Sequence, residues 1–225
     1  LDREDLDIYA VMNPAKSVGG DFYDFFMIDV NHFAFLIADV SDKGVPAALF
    51  MAKSKQIIQS YILSQYLGDF SLEDIVYEIN NNLSSNNDSC MFVTFWVGII
   101  DLKNSKLRFI NAGHESPIIK SKDEYKFLES DNDLVLGIME DIDFHSHVID
   151  LDYGDRILLY TDGVTDSNNE NGEFFGKDNL LKVVKENDLD VVESINGIID
   201  SVNNFTKKQE QFDDFTMLLV EYHKK

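Results

Sequence analysis

The apolar residues of this chain fall into short runs bounded by turn signals, and three of those runs carry acid at one end. Residues 33–38 are the clearest case. The run is short, contains aromatics and is framed by polar residues, so it reads as a buried strand. It delivers Asp39 to its end. Asp42, Lys43 and Gly44 then make a tight turn. Pro46 suits a first helical turn, where a missing N–H costs nothing. From Ala47 the spacing is helical, with Phe50, Ile57, Ile58, Tyr61 and Ile62 on the repeat. A carboxylate thus stands where a strand stops and a helix starts, with helical N–H groups and a positive dipole end directed at the same place. A cation on Asp39 and an anionic substrate would fit there.

Taken in order, the chain begins with Ile8, Ala10 and Met12 alternating as in an opening strand. Residues 16–24 follow, KSVGGDFYD. Paired glycines permit positive φ or close backbone approach. Asp21 and Asp24 flank two aromatics, which fits either a plain hairpin with turn carboxylates or a functional loop. Ser71, Leu72, Glu73 and Asp74 signal a helix start, and that helix is expected to end at residues 80–82. Residues 91–101 and 107–112 read as strands joined by a turn, an antiparallel hairpin. Residues 111–117 interrupt it, and Ile118 and Ile119 resume it. His114 is open to two readings: a ligand or proton donor, or a hydrogen-bonded structural residue beside Gly113. Residues 127–136 and 144–151 are expected as short strands, with His145 and His147 on a solvent-facing side. Residues 156–160 form a strand that ends in Asp162, the second strand-end aspartate. Helical segments follow over 177–186 and 191–207. Phe212, Asp213 and Asp214 lead into a last apolar strand.

Short turns between strands imply antiparallel sheets, and two blocks of helices imply an α+β fold with helices on the outer faces. The 225 residues contain no repeat and no Pro- or Gly-rich linker, so one domain spanning 1–225 is expected. The net charge of −22, from 19 basic and 41 acidic residues, repels nucleic-acid phosphate, and no basic stripe compensates. No apolar run approaches the roughly 20 residues a membrane span needs, so no membrane contact is expected. The single cysteine, Cys90, excludes a disulfide framework and points to a reducing compartment, the cytoplasm. Its position ahead of the 91–100 run suggests a buried thiol rather than a nucleophile. The chain opens on Leu1 rather than Met, as expected of a piece of a longer protein.

Three acid-ended strands are the chemically informative pattern. Hard cations such as Mg²⁺ and Mn²⁺ prefer carboxylate, carbonyl and water oxygens. Two such ions can lower the pKa of a shared water until it is a nucleophile near neutral pH. Phosphate-ester hydrolysis asks for little beyond that, positioning and charge neutralisation. An aspartyl nucleophile of the haloacid dehalogenase type is the rival chemistry, on a doubly wound parallel sheet. A catalytically weak or inactive signalling module acting by partner binding is the rival from another class.

Five motifs in order carry a family resemblance: VGGDFYD from Val18, ADVSDKGVPAALFMA from Ala38, NAGHESP from Asn111, TDGVTD from Thr161 and FDDFTMLLV from Phe212. The chain resembles the metal-dependent PPM (type 2C) serine/threonine phosphatases, in their bacterial SpoIIE/RsbU branch, over essentially its whole length. The resemblance implies a four-layer α-β-β-α sandwich of two antiparallel sheets flanked by helices. It implies two Mn²⁺ or Mg²⁺ ions. Asp39 would bridge them and the Val40 carbonyl would help bind one, while Asp162 and Asp213 would hold the other. Asp21 would act through metal-bound waters. Asp214 is the alternative to Asp213, and Asp166 matches a third, weaker metal position. On the substrate side stand Gly44, His114 and Lys16. Lys16 takes the place of a phosphate-contacting arginine in many relatives, so it is either a phosphate contact or merely solvated. Asp42 and Lys43 depart from the usual Gly-His or Gly-Lys, which makes that turn stiffer and more acidic. The implied substrate is phosphoserine or phosphothreonine on a protein like an anti-sigma-factor antagonist. An upstream sensory region in the same chain would reposition the helix after Gly44, and a homodimer is among the expected assemblies.

Overall fold

A computed structural model describes residues 3–66, 71–85, 87–131, 133–207 and 209–223. The chain forms two compact units interleaved in sequence. The first comprises Ser17–His114 and Ser130–Asp150; the second comprises the segment up to Lys16, then Glu115–Glu129, then the chain from Leu151 onward.

The first unit is a five-stranded sheet in the order β2-β3-β4-β5-β8, with every ladder antiparallel. Its strands are β2 (Phe22–Met27), β3 (His32–Val40), β4 (Val93–Asp101), β5 (Lys106–Ala112) and β8 (His147–Asp150). Helices α1 (Val45–Gln65) and α2 (Leu72–Ser84) belong to the same unit. Alternate residues of β3, namely Ala34, Leu36, Ala38 and Val40, pack in one cluster with Ile58, Ile62, Ile75 and Ile79 of the helices. The other set, Phe33, Phe35 and Ile37, is equally buried. A strand buried on both faces has no use for alternation, which is why this run is continuously apolar. Aromatic contacts cross the sheet from Phe33 to Phe35, Trp96 and Phe109 at centroid separations of 5.8, 5.3 and 5.6 Å.

The second unit is a five-stranded antiparallel sheet in the order β1-β10-β9-β6-β7. Its strands are β1 (Leu6–Asn13), β6 (Ile118–Ser121), β7 (Glu124–Phe127), β9 (Arg156–Tyr160) and β10 (Phe215–Tyr222). Three helices accompany it: α3 (Asp162–Thr165), α4 (Gly176–Glu186) and α5 (Val191–Thr206). Phe215, Met217 and Leu219 of β10 meet Leu180, Ile195 and Ile198 in one apolar cluster.

Two antiparallel sheets with helices bear out the α+β expectation, and they exclude the parallel sheet that haloacid dehalogenase chemistry requires. Several local expectations need correction. Residues 16–24 are not the turn of a plain hairpin: from Phe22 they enter β2, and the hairpin is β2–β3, closed by the Asp29 carboxylate on the amides of Asn31 and His32. Ile118 and Ile119 do not resume β5 but start β6 in the other sheet. Among the described residues between β7 and β8, only isolated bridges form, Ala112 with Asp133 and Val93 with Leu136. His145 lies off the strand against Asp133 at 2.9 Å, and His147 is half-buried, stacked on Phe109. Cys90 is exposed, not buried. It sits at φ 51° in a turn closed by its own N–H on the Asn87 carbonyl, ahead of the strand proper.

The expected α2 start is realised as a capping box: Ser71 Oγ accepts from the Asp74 amide and the Asp74 carboxylate accepts from the Ser71 amide. The helix runs past the predicted end to Ser84, and buried Asn80 donates to the Met139 carbonyl and accepts from the Gly137 amide. Ser71→Ala should lower stability by about 1 kcal/mol. In urea unfolding the midpoint should fall with an unchanged slope.

Candidate functional site

In the first unit the site is built around Asp39, the penultimate residue of β3 and the register partner of Thr94 on β4. The Thr94 hydroxyl donates to the Asp39 carbonyl at 3.5 Å and hydrogen-bonds His114 Nδ1 at 2.8 Å. His114 is only 6 % exposed. Its amide donates to Asn111 Oδ1 at 2.8 Å, and Asn111 Nδ2 donates to its carbonyl at 3.1 Å. The NAGH turn therefore buttresses the strand end that carries Asp39.

Gly20 explains the paired glycines. A Cβ there would lie 2.9 Å from the Val40 carbonyl oxygen and 3.6 Å from Asp39 Oδ1. The space beside these two oxygens stays clear only because residue 20 has no side chain. Asp21, next in sequence, is 2 % exposed. Asp24 is engaged elsewhere, since its carboxylate accepts from Gln59 of α1 at 3.2 Å. Gly44 caps α1 at φ 85°, ψ −155°, a region essentially closed to other residues. The first turn of α1 contains no acidic residue and no side-chain cap.

In the second unit, Asp162 opens α3 directly after β9. Gly163 packs onto the Asp214 carbonyl so closely that a Cβ would overlap it. Thr161 reinforces this contact. Its hydroxyl donates to the Asp214 carbonyl at 3.4 Å and accepts from the Thr216 amide at 3.2 Å. The two adjacent acids consequently separate. The Asp214 side chain is committed inward, with Oδ1 accepting from the Ala15 amide at 2.8 Å. Asp213 faces Asp162 electrostatically. The Asp162 carboxyl is held above the usual carboxylate range, first by burial and then by Asp213, Asp166 and Glu115. Asp166, whose amide closes α3 on the Asp162 carbonyl, is raised by burial, Glu115 and Asp213, with Lys177 opposing. Lys177 Nζ pairs with Glu115 at 2.6 Å. Glu115 and Lys177 are members of this cluster that residue-type reasoning does not single out. The only signal is the place of Glu115 beside His114 in the NAGHESP motif. Lys16 is exposed.

Among the described residues no group of three or more His, Cys, Asp or Glu side chains stands as a complete metal-ligand set. The donors present nonetheless fit a hard cation. They are carboxylate and carbonyl oxygens, a space beside Asp39 and Val40 is kept clear, and the crowding at Asp162 is the repulsion that a cation relieves.

Comparisons with known proteins agree with this chemistry. Residues 29–223 match the family described as Stage II sporulation protein E (SpoIIE). The chain is 32% identical over 224 residues to the phosphoserine phosphatase RsbU of Bacillus subtilis, across 97% of this chain and 64% of that protein. It is 31% identical over 242 residues to protein IcfG of Synechocystis sp., across 97% of this chain and 38% of that protein. It thus spans less than two thirds of either relative. Among solved structures, the SiaA PP2C domain of Pseudomonas aeruginosa superposes with a TM-score of 0.84 at 20% identity, over 96% of this chain and 85% of that one. The catalytic domain of the phosphatase PstP, solved with two manganese ions, superposes with a TM-score of 0.68 at 14% identity, over 97% of this chain and 99% of that one.

Two outcomes follow for the second unit. Because the Asp162 pKa is raised on folding, the stability it lends is present below the ordinary carboxylate range and is lost as pH rises through the raised value. Above that raised value its charge is a liability, so Asp162→Asn should raise the melting temperature of the metal-free protein there. Gly163→Ala should do the reverse, costing about 1–3 kcal/mol through overlap with the Asp214 carbonyl. Thermal melts in EDTA check both.

Proposed function

The chain belongs to the SpoIIE family of PP2C-type phosphatase domains, and on that premise we propose that it is a metal-dependent protein serine/threonine phosphatase. The crowding of like-charged carboxylates around Asp162 is the observation that carries the reading. Asp39 and the Val40 carbonyl in the first unit, and Asp162 and Asp213 in the second, are the proposed protein ligands of two Mn²⁺ or Mg²⁺ ions. Such ions supply Lewis-acid activation of water and neutralise charge during displacement at phosphorus. Asp21 supports the first set from its buried position beside Gly20. Asp166, with Glu115 next to it, is the proposed weaker cation site. Asp213 rather than Asp214 is the ligand on this reading, because Asp213 bears electrostatically on Asp162 and Asp166 while Asp214 holds the distant Ala15 amide.

The remaining residues position rather than react. His114 holds Thr94 and, through it, the end of β3. Gly44 supplies the backbone turn that starts α1 and leaves helical N–H groups without side-chain caps, a favourable setting for a phosphate. Lys16 is exposed and able to meet phosphate as a point charge. Residues 1–225 act on this reading as one catalytic domain. Its cytoplasmic substrate is a phosphorylated protein of the anti-sigma-factor-antagonist type, and an upstream regulatory region and a second copy are proposed partners. No described helix is long and apolar enough to cross a membrane.

A second reading, a PPM-fold module that acts by binding alone, draws on the lack of a complete ligand set among the described residues. Turnover separates the two. With Mn²⁺ present the chain should hydrolyse p-nitrophenyl phosphate and a phosphoserine peptide. Asp39→Asn and Asp213→Asn should each lower kcat/KM by at least about 100-fold. Asp214→Asn should mainly lower the melting temperature. Wild-type protein inert toward both substrates in Mn²⁺ and in Mg²⁺ would favour the binding module.

A further inference from the structure

Next to the Asp213 turn, the second unit contains a cavity of about 110 Å³ that the metal chemistry does not use. Its floor is apolar, formed by Ile199 and Val202 of α5 and by Phe215 at the start of β10. Its rim carries side-chain amides from Asn168, Asn203 and Gln211. Gln211 Nε2 donates to the Asn13 carbonyl at 2.6 Å and to the Asp213 carbonyl at 2.7 Å. The rim is thereby tied to the backbone of a proposed metal ligand. Phe212, 77 % exposed, lines the same cavity and immediately precedes Asp213. On the far side, Lys207 pairs with Glu170, tying the end of α5 to the loop closed by the Asn168–Phe174 bridge.

The chemistry of this lining is specific. In a chain of net charge −22, Glu210 is the one charged side chain among the lining residues described. Side-chain amides both donate and accept, as peptide groups do. A water molecule takes up about 30 Å³ of liquid, so the cavity holds a few waters or one aliphatic side chain. An extended peptide advances about 3.3 Å per residue. Because Phe212 lines the cavity and Gln211 holds the Asp213 carbonyl, a phosphorylated residue at the Asp213 turn would carry its neighbouring residues past this floor.

We propose that this cavity is a specificity pocket for the phosphoprotein substrate. An apolar side chain a few residues from the phosphorylated serine or threonine enters over Ile199, Val202 and Phe215. The flanking peptide groups hydrogen-bond to the amides of Asn203 and Gln211. The inference rests on the phosphatase reading for the place of the phosphorylated residue.

Binding and turnover test the two ideas separately. The probes are Gly/Ser peptides with a central phosphoserine and a single Leu moved along the chain. Binding is read by fluorescence anisotropy without divalent cation. At one position Leu should tighten binding over Gly by about 10-fold. Asn203→Trp, on an exposed position of α5, should fill the cavity and bring that ratio to about one. Gln211→Ala is a second variant that should weaken the Leu peptide, and a melt of each variant verifies folding. A wild-type ratio near one at every position would overturn the pocket, as would a ratio unchanged in Asn203→Trp. Hydrolysis of p-nitrophenyl phosphate in Mn²⁺ reports on the phosphatase reading alone, since that substrate has no side chain to place in the cavity. Absence of turnover on that substrate and on the phosphoserine peptide, in Mn²⁺ and in Mg²⁺, together with a retained Leu preference would remove the phosphatase reading and leave the pocket standing.

Discussion

Gly163 meets the Asp214 carbonyl through backbone alone, at a separation that leaves no room for a side chain. This contact locks the turn after β9 onto the lead-in to β10, and with it Asp162 onto Asp213. The β9–β10 ladder, from Met217 opposite Tyr160 to Glu221 opposite Arg156, fixes the approach from the strand side. Like charges resist it. What overcomes them is apolar burial: Leu158, Tyr160, Met217 and Leu219 sit in one cluster with the helices, and each large apolar side chain buried is worth roughly 1.5–3 kcal/mol. The sheet is the spring that holds the carboxylates together.

The first unit uses the same device with different residues. Gly20 lets backbone come against the Val40 carbonyl, and Gly44 adopts a conformation that other residues avoid. Hydrogen bonds then remove the remaining freedom. Asn111 shapes the turn, His114 holds Thr94, and Thr94 reaches the Asp39 carbonyl. Acids destined for a hard cation need fixed oxygens more than they need basic neighbours. In both units that fixing is done by glycine contacts and neutral hydrogen bonds.

Strands whose apolar runs end cleanly are legible from residue order. Residues 33–40, 93–101 and 156–160 fall where the runs predict, and the Ser71 cap stands where its capping pattern points. Partnership is legible where a short turn joins two strands, as in the expected β4–β5 hairpin, and not where the connection leaves the sheet. Ile118 follows β5 closely in sequence, yet it pairs with Leu158, because the positive φ of Gly113 and the Asn111–His114 hydrogen bonds turn the chain away. Cys90 escapes such reasoning because an apolar run beside it says nothing about φ, and its turn points the thiol outward. At the candidate site, residue type is enough to pick out Asp39 and Asp162. The proposed preference for Asp213 over Asp214 draws on long-range neighbours, the Ala15 amide for Asp214 and Asp162 for Asp213, that no local pattern encodes.

That last contrast shows how the chain assigns charge. Asp213 and Asp214 are chemically identical neighbours and each accepts a backbone amide, Asp214 from distant Ala15 and Asp213 from Asp214 itself, yet it is Asp213 that bears on the acids around Asp162. A satisfied carboxylate stabilises the fold by itself. A crowded one gains when something positive arrives, since any ion that binds the folded chain alone adds RT ln(1 + [L]/Kd) to its stability. Lys177 supplies a partial answer within the protein, pairing with Glu115 and opposing the upward shift of Asp166. Asp162 has no such cation among the groups that shift it. The repulsion left at Asp162 is therefore the part of the folding free energy that a bound cation would recover. On the proposed reading, affinity for such an ion and stability of the second unit would be two measures of one electrostatic strain.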